Sequence, residues 1–195
     1  MVSKIDEMGP KPKVRVDWTA RVSGHCQSPP EVVYDRVADL RTHPQWNGPA
    51  RPGGRGMLTM DAPAGPARVG SEFWSTGLEM DGRWNDSSVV TLADRPRLLE
   101  YVTNGSATGR SGRQSVALTA VYRYEITPAG SGSLVSLSIH ITESAGEMNG
   151  MMAVPGLRQI GVLMTRSMLR RGLSGLIAAA DRGRSTGRGM NKDRR

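Results

Sequence analysis

The stretch from Val154 to Asp181 sets the terms for the rest of the chain. Pro155 suits a first helical turn, where no N–H donor is needed, and no proline follows it. Leu157, Ile160, Met164, Ser167 and Met168, then Leu169, Leu173, Leu176 and Ala180, recur at three- and four-residue steps and draw an apolar stripe. Arg158, Arg166, Arg170 and Arg171 fall mostly off it. A helix of this length extends roughly 40 Å at about 1.5 Å per residue. It cannot bury its stripe unaided, so the middle of the chain must supply a broad surface.

That middle reads as strands. Val14, Val16, Trp18, Ala20 and Val22 alternate with polar residues, the period of a half-buried strand. Ser28 is a plausible cap, followed by Pro29, Pro30 and Glu31 and a short helix with Val33, Val37 and Leu40 inward. Residues 41–47 predict a second short helix, with Trp46 packing back. Met57–Met60 predicts a short strand inside a Gly/Pro-rich segment. From Ser71 to Met80 the alternation puts Trp74, Thr76, Leu78 and Met80 on one face. Asp81-Gly82 is a two-residue hairpin signal. Strands follow at Trp84–Leu92, Leu98–Thr103, Ser115–Ile126 and Leu134–Thr142, with a polar loop expected over Asn104–Gln114. The order is strand, two short helices, about six antiparallel strands and one long helix, an α+β arrangement. We expect a flexible lead over residues 1–12, one domain over 13–181 and a basic disordered tail over 182–195.

Charge matters once it is located. The chain carries a formal net charge of +8, but six basic residues and one acid fall within 182–195 and more basic residues lie in the first sixteen. The body is nearly neutral, so no specific nucleic-acid partner is expected, and the tail reads first as a solvated end. Cys26 is the one cysteine, which excludes an internal disulfide and fits a reducing cytoplasm. No signal peptide is visible, and no run of about 18 apolar residues suggests a membrane span.

Familiar catalytic motifs are missing. The histidines are His25, His43 and His140, with no H-E-x-x-H and no second cysteine, so no metal site is expected. No G-x-S-x-G elbow, Walker loop or G-x-G-x-x-G after a strand occurs. No cofactor is implied. Cys26 beside His25 reads as a strand-end pair before it reads as a reactive thiol. Arg123, Glu125 and His140 fall on solvent faces by parity, and Glu72 sits at a strand end where it would edge a pocket.

What remains is a set of pocket candidates. Trp74, Leu78, Met80, Tyr101, Tyr122 and Tyr124 lie on the apolar faces of their strands, and Met164 and Met168 on the helix stripe. Met-rich and aromatic linings suit adaptable apolar ligands. Each residue alone reads first as core filling. The collective argument is that a sheet broad enough for this helix leaves a volume that one Phe and scattered Met residues fill poorly.

Several segments resemble a known superfamily. Ser28-Pro-Pro-Glu-Val-Val-Tyr-Asp35, with Ala38-Asp-Leu and His43-Pro-Gln-Trp-Asn47, is similar to the opening of SRPBCC proteins, the START, Bet v 1 and polyketide-cyclase-like helix-grip group. Val69-Gly-Ser-Glu-Phe-Trp74, Val135-Ser-Leu-Ser-Ile139 and residues 154–181 resemble its later strands and gripping helix. The resemblance implies a curved sheet of about seven strands wrapped around the C-terminal helix, with a hydrophobic cavity between. It does not imply one activity; the leading expectation is binding of a small hydrophobic or amphipathic ligand, such as a lipid, in that cavity. A cyclase/dehydratase-type enzyme using the same cavity and a co-chaperone-like interaction module are the alternatives, since one fold hosts many functions. Homodimerisation is left open.

Overall fold

The computed structural model describes residues 12–48, 56–79, 82–108, 114–146 and 155–189. The elements are β1 (Val14–Cys26), α1 (Pro30–Ala38), a 3₁₀ turn at Leu40–Thr42, α2 (His43–Trp46), β2 (Gly56–Asp61), β3 (Glu72–Glu79), β4 (Gly82–Asp94), β5 (Leu98–Thr108), β6 (Gln114–Ala129), β7 (Gly132–Gly146) and α3 (Pro155–Gly189). The seven strands form one antiparallel sheet in the order β1-β7-β6-β5-β4-β3-β2. Strands β2 to β7 run as a meander, and β1 closes the far side by pairing with β7. The sheet curves, and α3 packs chiefly on β1, with further contacts to α1, α2 and β7. This is the α+β helix-grip architecture.

The inward face of the sheet follows from strand parity. Trp18, Ala20 and Val22 of β1 pack beside Leu137, Ile139 and Ile141 of β7 and Ala120, Tyr124 and Ile126 of β6. Leu99 and Tyr101 of β5 and Val90 of β4 continue the same buried face. The outward face is polar, and on it Arg123 pairs with both Glu100 and Glu125 while Glu125 also meets Arg21. His140 sits on that face too, 3.0 Å from Asp17. Exposed pairs of this kind contribute up to about 1 kcal/mol each.

The structure corrects three expectations. On β3 the buried side chains are Phe73 and Ser75, while Trp74 is 49% exposed and points outward. Apolar residues occupy both parities of this strand, and the larger set lies on the wrong side. At the third inward position, Gly77, no side chain fits because Trp84 of β4 lies across it and any Cβ would collide with its indole ring. On β4 a register shift between Val90 and Leu92 turns Leu92 to solvent while Val90 stays buried. Residues Asn104 to Thr108 are strand, not loop, because their backbone continues the ladder opposite Arg83–Ser87 whatever the side chains. Ser28 does not cap α1, whose N-cap is Pro29.

Ser28 has another role. Its hydroxyl donates to Asp181 Oδ1 at 3.0 Å and approaches the Ala180 carbonyl at 3.2 Å, and its backbone N–H also donates to Asp181 Oδ1. The Cys26 thiol donates to the same carboxylate oxygen at 3.1 Å. Burial raises the Asp181 pKa, but these donors and the Gln27 N–H outweigh it and hold the carboxyl below its ordinary value. Burial and then the Asp181 bond push the Cys26 thiol up to about 11, which makes it a packing residue with little thiolate. α3 itself continues past Asp181 to Gly189, so the first part of the expected tail is helical. Residues 1–11 and 190–195 lie outside the described residues.

Candidate ligand-binding cleft

The two halves of α3 meet different surroundings. Leu169, Leu173, Leu176 and Ala180 are buried against the sheet and the short helices. Two glycines permit the close approach. A side chain on Gly24 of β1 would meet Ile177 Cδ1 at 2.8 Å, and one on Gly175 would collide with the Trp46 carbonyl of α2. Gly172 likewise faces Asn47, just past α2. Residues four apart share a helix face, so counting back from Gly172 gives Met168, Met164 and Ile160 on the side that meets α2 lower down. These three are 43%, 47% and 51% exposed, and Leu157 beside them is exposed too. The stripe legible in the sequence is therefore buried in its second half and uncovered in its first.

Tyr101, Tyr122 and Tyr124 gather on the inward face of the sheet. The Tyr101 and Tyr122 rings stack with centroids 5.2 Å apart, Tyr124 lies 6.4 Å from Tyr101, and Phe73 meets Tyr101 edge-on at 5.1 Å. Burial, followed by the neighbouring tyrosines, raises the Tyr101 hydroxyl well above its ordinary pKa, and burial pushes Tyr124 up to about 12. Both are neutral hydroxyls at any physiological pH. Trp18 of β1 adds an indole N–H that is buried without a hydrogen-bond partner, a condition that costs about 1–3 kcal/mol.

Of the other sequence candidates, Leu78 is half-buried on the parity of Trp74, away from the tyrosines. Trp74 instead edges a shallow open depression with Asp61, Pro63, Ser71 and Glu72 on the outer margin of the sheet. Met80 lies outside the described residues. The structure thus brings the three tyrosines together and places Met164 and Met168 on the uncovered helix face, but it separates Trp74 and Leu78 from them.

Sequence reasoning missed Trp84 and Asp86. Both lie on the inward parity of β4, Asp86 level with Ser75 on one side and Gly105 on the other. A Cβ on Gly105 would meet Asp86 Oδ1 at 2.6 Å and Leu118 Cδ1 at 3.3 Å, so the carboxyl lies flat over the glycine. Burial pushes its pKa up to about 7. One row further in, Ser88 and Thr103 hydrogen-bond each other at 2.9 Å. The signal was present in the sequence, since Asp86 shares the parity of Trp84 and Val90.

Among the described residues no group of three His, Cys, Asp or Glu side chains could hold a metal ion, and no helix is long and apolar enough to cross a membrane. His43 is buried; its Nε2–H donates to the Val37 carbonyl at 2.8 Å and its ring packs 4.5 Å from Trp46. Burial drives its pKa down to about 4. It holds α1 to α2 and faces no cleft residue named above.

Comparison of the sequence with curated proteins returns no match. Solved structures do resemble it. Protein CV1439 from Chromobacterium violaceum is 16% identical with a TM-score of 0.57, over 84% of this chain and 97% of that one. Ara h 8.0201 is 13% identical with a TM-score of 0.53, over 85% of this chain and 98% of that one. DynU16, described as a putative protein in the dynemicin biosynthetic locus, is 14% identical with a TM-score of 0.55, and the match spans 85% of this chain and 48% of DynU16. At these identities the likeness speaks for the fold alone. The profile described as "Polyketide cyclase / dehydrase and lipid transport" matches residues 7–181, which together with the helix-grip architecture makes this chain a member of that SRPBCC family.

Proposed function

We propose that the protein binds a small apolar or amphipathic ligand between the inward face of the sheet and the first half of α3. One observation carries the reading: Ile160, Met164 and Met168 continue the side of α3 that packs on α2, yet stand 43–51% exposed. Burying one such side chain gains about 1.5–3 kcal/mol, so a ligand seated there would recover much of what the fold leaves in water. The stacked tyrosines give the ligand a flat wall, and the Trp18 indole N–H offers a donor to a polar atom on it.

The test uses native mass spectrometry of the protein as purified, together with titration of the uncharged dye Nile red. The reading expects a retained small-molecule mass or a blue-shifted dye signal. It expects Met164→Lys with Met168→Lys to weaken dye binding at least tenfold while the far-ultraviolet circular dichroism is unchanged. A protein that carries no ligand and binds no dye overturns it.

An enzyme of the polyketide cyclase/dehydratase type is the second reading, and Asp86 is the observation that favours it. A carboxyl with a pKa near 7 is matched to proton transfer at neutral pH. Turnover of a β-dicarbonyl compound that Asp86→Asn abolishes without loss of dye binding would establish that reading over simple carriage.

A further inference from the structure

We propose that the cleft selects a ligand with a cationic ammonium head, held by Asp86 and the Trp84 indole at the β3–β5 end of the concave face. The proposal rests on the reading of the cleft as a ligand site. Trp84 and Asp86 stand two residues apart on β4 and therefore project from the same face. The strands on either side give way to them. Gly77 of β3 lies under the indole and Gly105 of β5 lies under the carboxyl, and a Cβ at either position would collide. The two side chains lie down across the sheet instead of standing up from it, and each is only partly covered.

The chemistry of this floor is one-sided. Asp86 has no hydrogen bond or ion pair among the described residues, and on the sheet's concave face no Lys or Arg is described that could receive an acid head group. Ser75 of β3 stands level with Asp86 and offers it a neutral hydroxyl, and one row further in Ser88 and Thr103 satisfy each other. The titratable group that interacts with Asp86 is Tyr101 from β5, with Tyr122 and Tyr124 of β6 beyond it, and they bring no positive charge. On α3, which packs chiefly on β1, Arg171 follows Met168 and is exposed. A carboxyl taken partly out of water without a partner is stabilised most by an opposite charge. An aromatic face beside it adds the attraction of a ring quadrupole for a cation. An ammonium head meets both, and an alkyl or aryl body behind it would lie along Met164 and Met168. A carboxylate head would meet like charge instead.

The experiment displaces Nile red from the full chain with decylammonium, decanol and decanoate, at pH 6 and pH 8. Decylammonium is expected to displace the dye at a concentration at least tenfold below decanol or decanoate at pH 8. The preference should shrink at pH 6, because Asp86 ionises as pH rises through about 7. Asp86→Asn should abolish the preference and leave displacement by decanol unchanged, and Asp86→Ser serves as a second variant if the amide perturbs folding. Equal displacement by the three probes, a preference for decanoate, or an ammonium preference that survives both substitutions overturns the proposal. Dye that binds without any head-group preference overturns this inference alone, whereas dye that fails to bind overturns the cleft reading beneath it.

Discussion

Asp86 Oδ1 occupies the space that a side chain on Gly105 would claim, 2.6 Å from where its Cβ would stand. A carboxyl in that place is held against its own solvation. The folded-state pKa of about 7 lies above the ordinary 3.8, so between those values the folded protein binds more protons than the unfolded chain. Stability therefore falls as pH rises from about 4 to about 7 through this group. Asp86→Asn is expected to raise stability at pH 8 by about 1–3 kcal/mol and to leave it unchanged at pH 4. Urea denaturation at the two pH values checks this, and equal effects at both would contradict it. A residue whose removal stabilises the fold is retained for some other reason.

His43 predicts the opposite slope at lower pH. Its folded pKa of about 4 lies below the ordinary 6.5 because burial disfavours the imidazolium. The unfolded chain then takes up the proton first as pH falls. The contribution of neutral His43 is complete above pH 6.5 and is lost progressively between pH 6.5 and 4, about 3 kcal/mol over the range. His43→Gln should remove that portion of the acid dependence. A denaturation profile between pH 7 and 4 with unchanged slope in the variant would contradict it.

Gly175 and Gly156 make a matched pair on one helix. Helix propensity alone favours alanine over glycine by about 1 kcal/mol. At Gly156 nothing lies within 4 Å of a new Cβ, so Gly156→Ala should be neutral or slightly stabilising. At Gly175 the new methyl would strike the Trp46 carbonyl, and backbone cannot swing aside as a side chain can. Gly175→Ala should destabilise by about 1–3 kcal/mol despite the better propensity. Thermal melts that move the same way in both variants would show that α3 does not dock on α2 as described.

Neighbouring residues on β3 should differ sharply. Phe73 is 2% exposed and edge-on to Tyr101, and Phe73→Ala is expected to cost about 3–5 kcal/mol. Trp74→Ala, on the solvent side, is expected to cost less than about 1 kcal/mol and to leave Nile red binding intact. A large loss of dye binding in Trp74→Ala would move the ligand to the outer depression.

Much of this fold is legible in the sequence because one periodicity dominates each long element. The alternation in β5, β6 and β7 is legible, and the inward placement of Tyr101, Tyr122, Tyr124 and Ile139 follows from it directly. β3 is the counterexample. Its inward side carries only Phe73, Ser75 and Gly77, the last bare because Trp84 reaches over from the next strand, and no pattern within β3 reveals that. Leu92, two residues after the buried Val90, is turned to solvent by a bulge that no local pattern shows either. Ser28 looked like a helix cap because its local neighbours suit one; its partner Asp181 is 153 positions away. The candidate site was half readable. The tyrosines and the helix methionines could be named from period alone, while the importance of Asp86 comes from burial and from glycines on both flanking strands, which are properties of strand pairing.

The division of α3 has one more consequence. Its second half is bolted to β1 and α2 and anchored at Asp181, so its amide protons should exchange with solvent only when the whole domain opens. The first half is held more lightly, by the buried Gly161 and the half-buried Val162 and Thr165, and a short run of helix with few contacts is marginal in water. One continuous helix is thus two bodies of different lifetime, joined near Met168. Whatever seats itself against Met164 would lend the weaker body the stability of the stronger. The occupied and empty protein would then differ less in shape than in how long residues 157–168 keep their hydrogen.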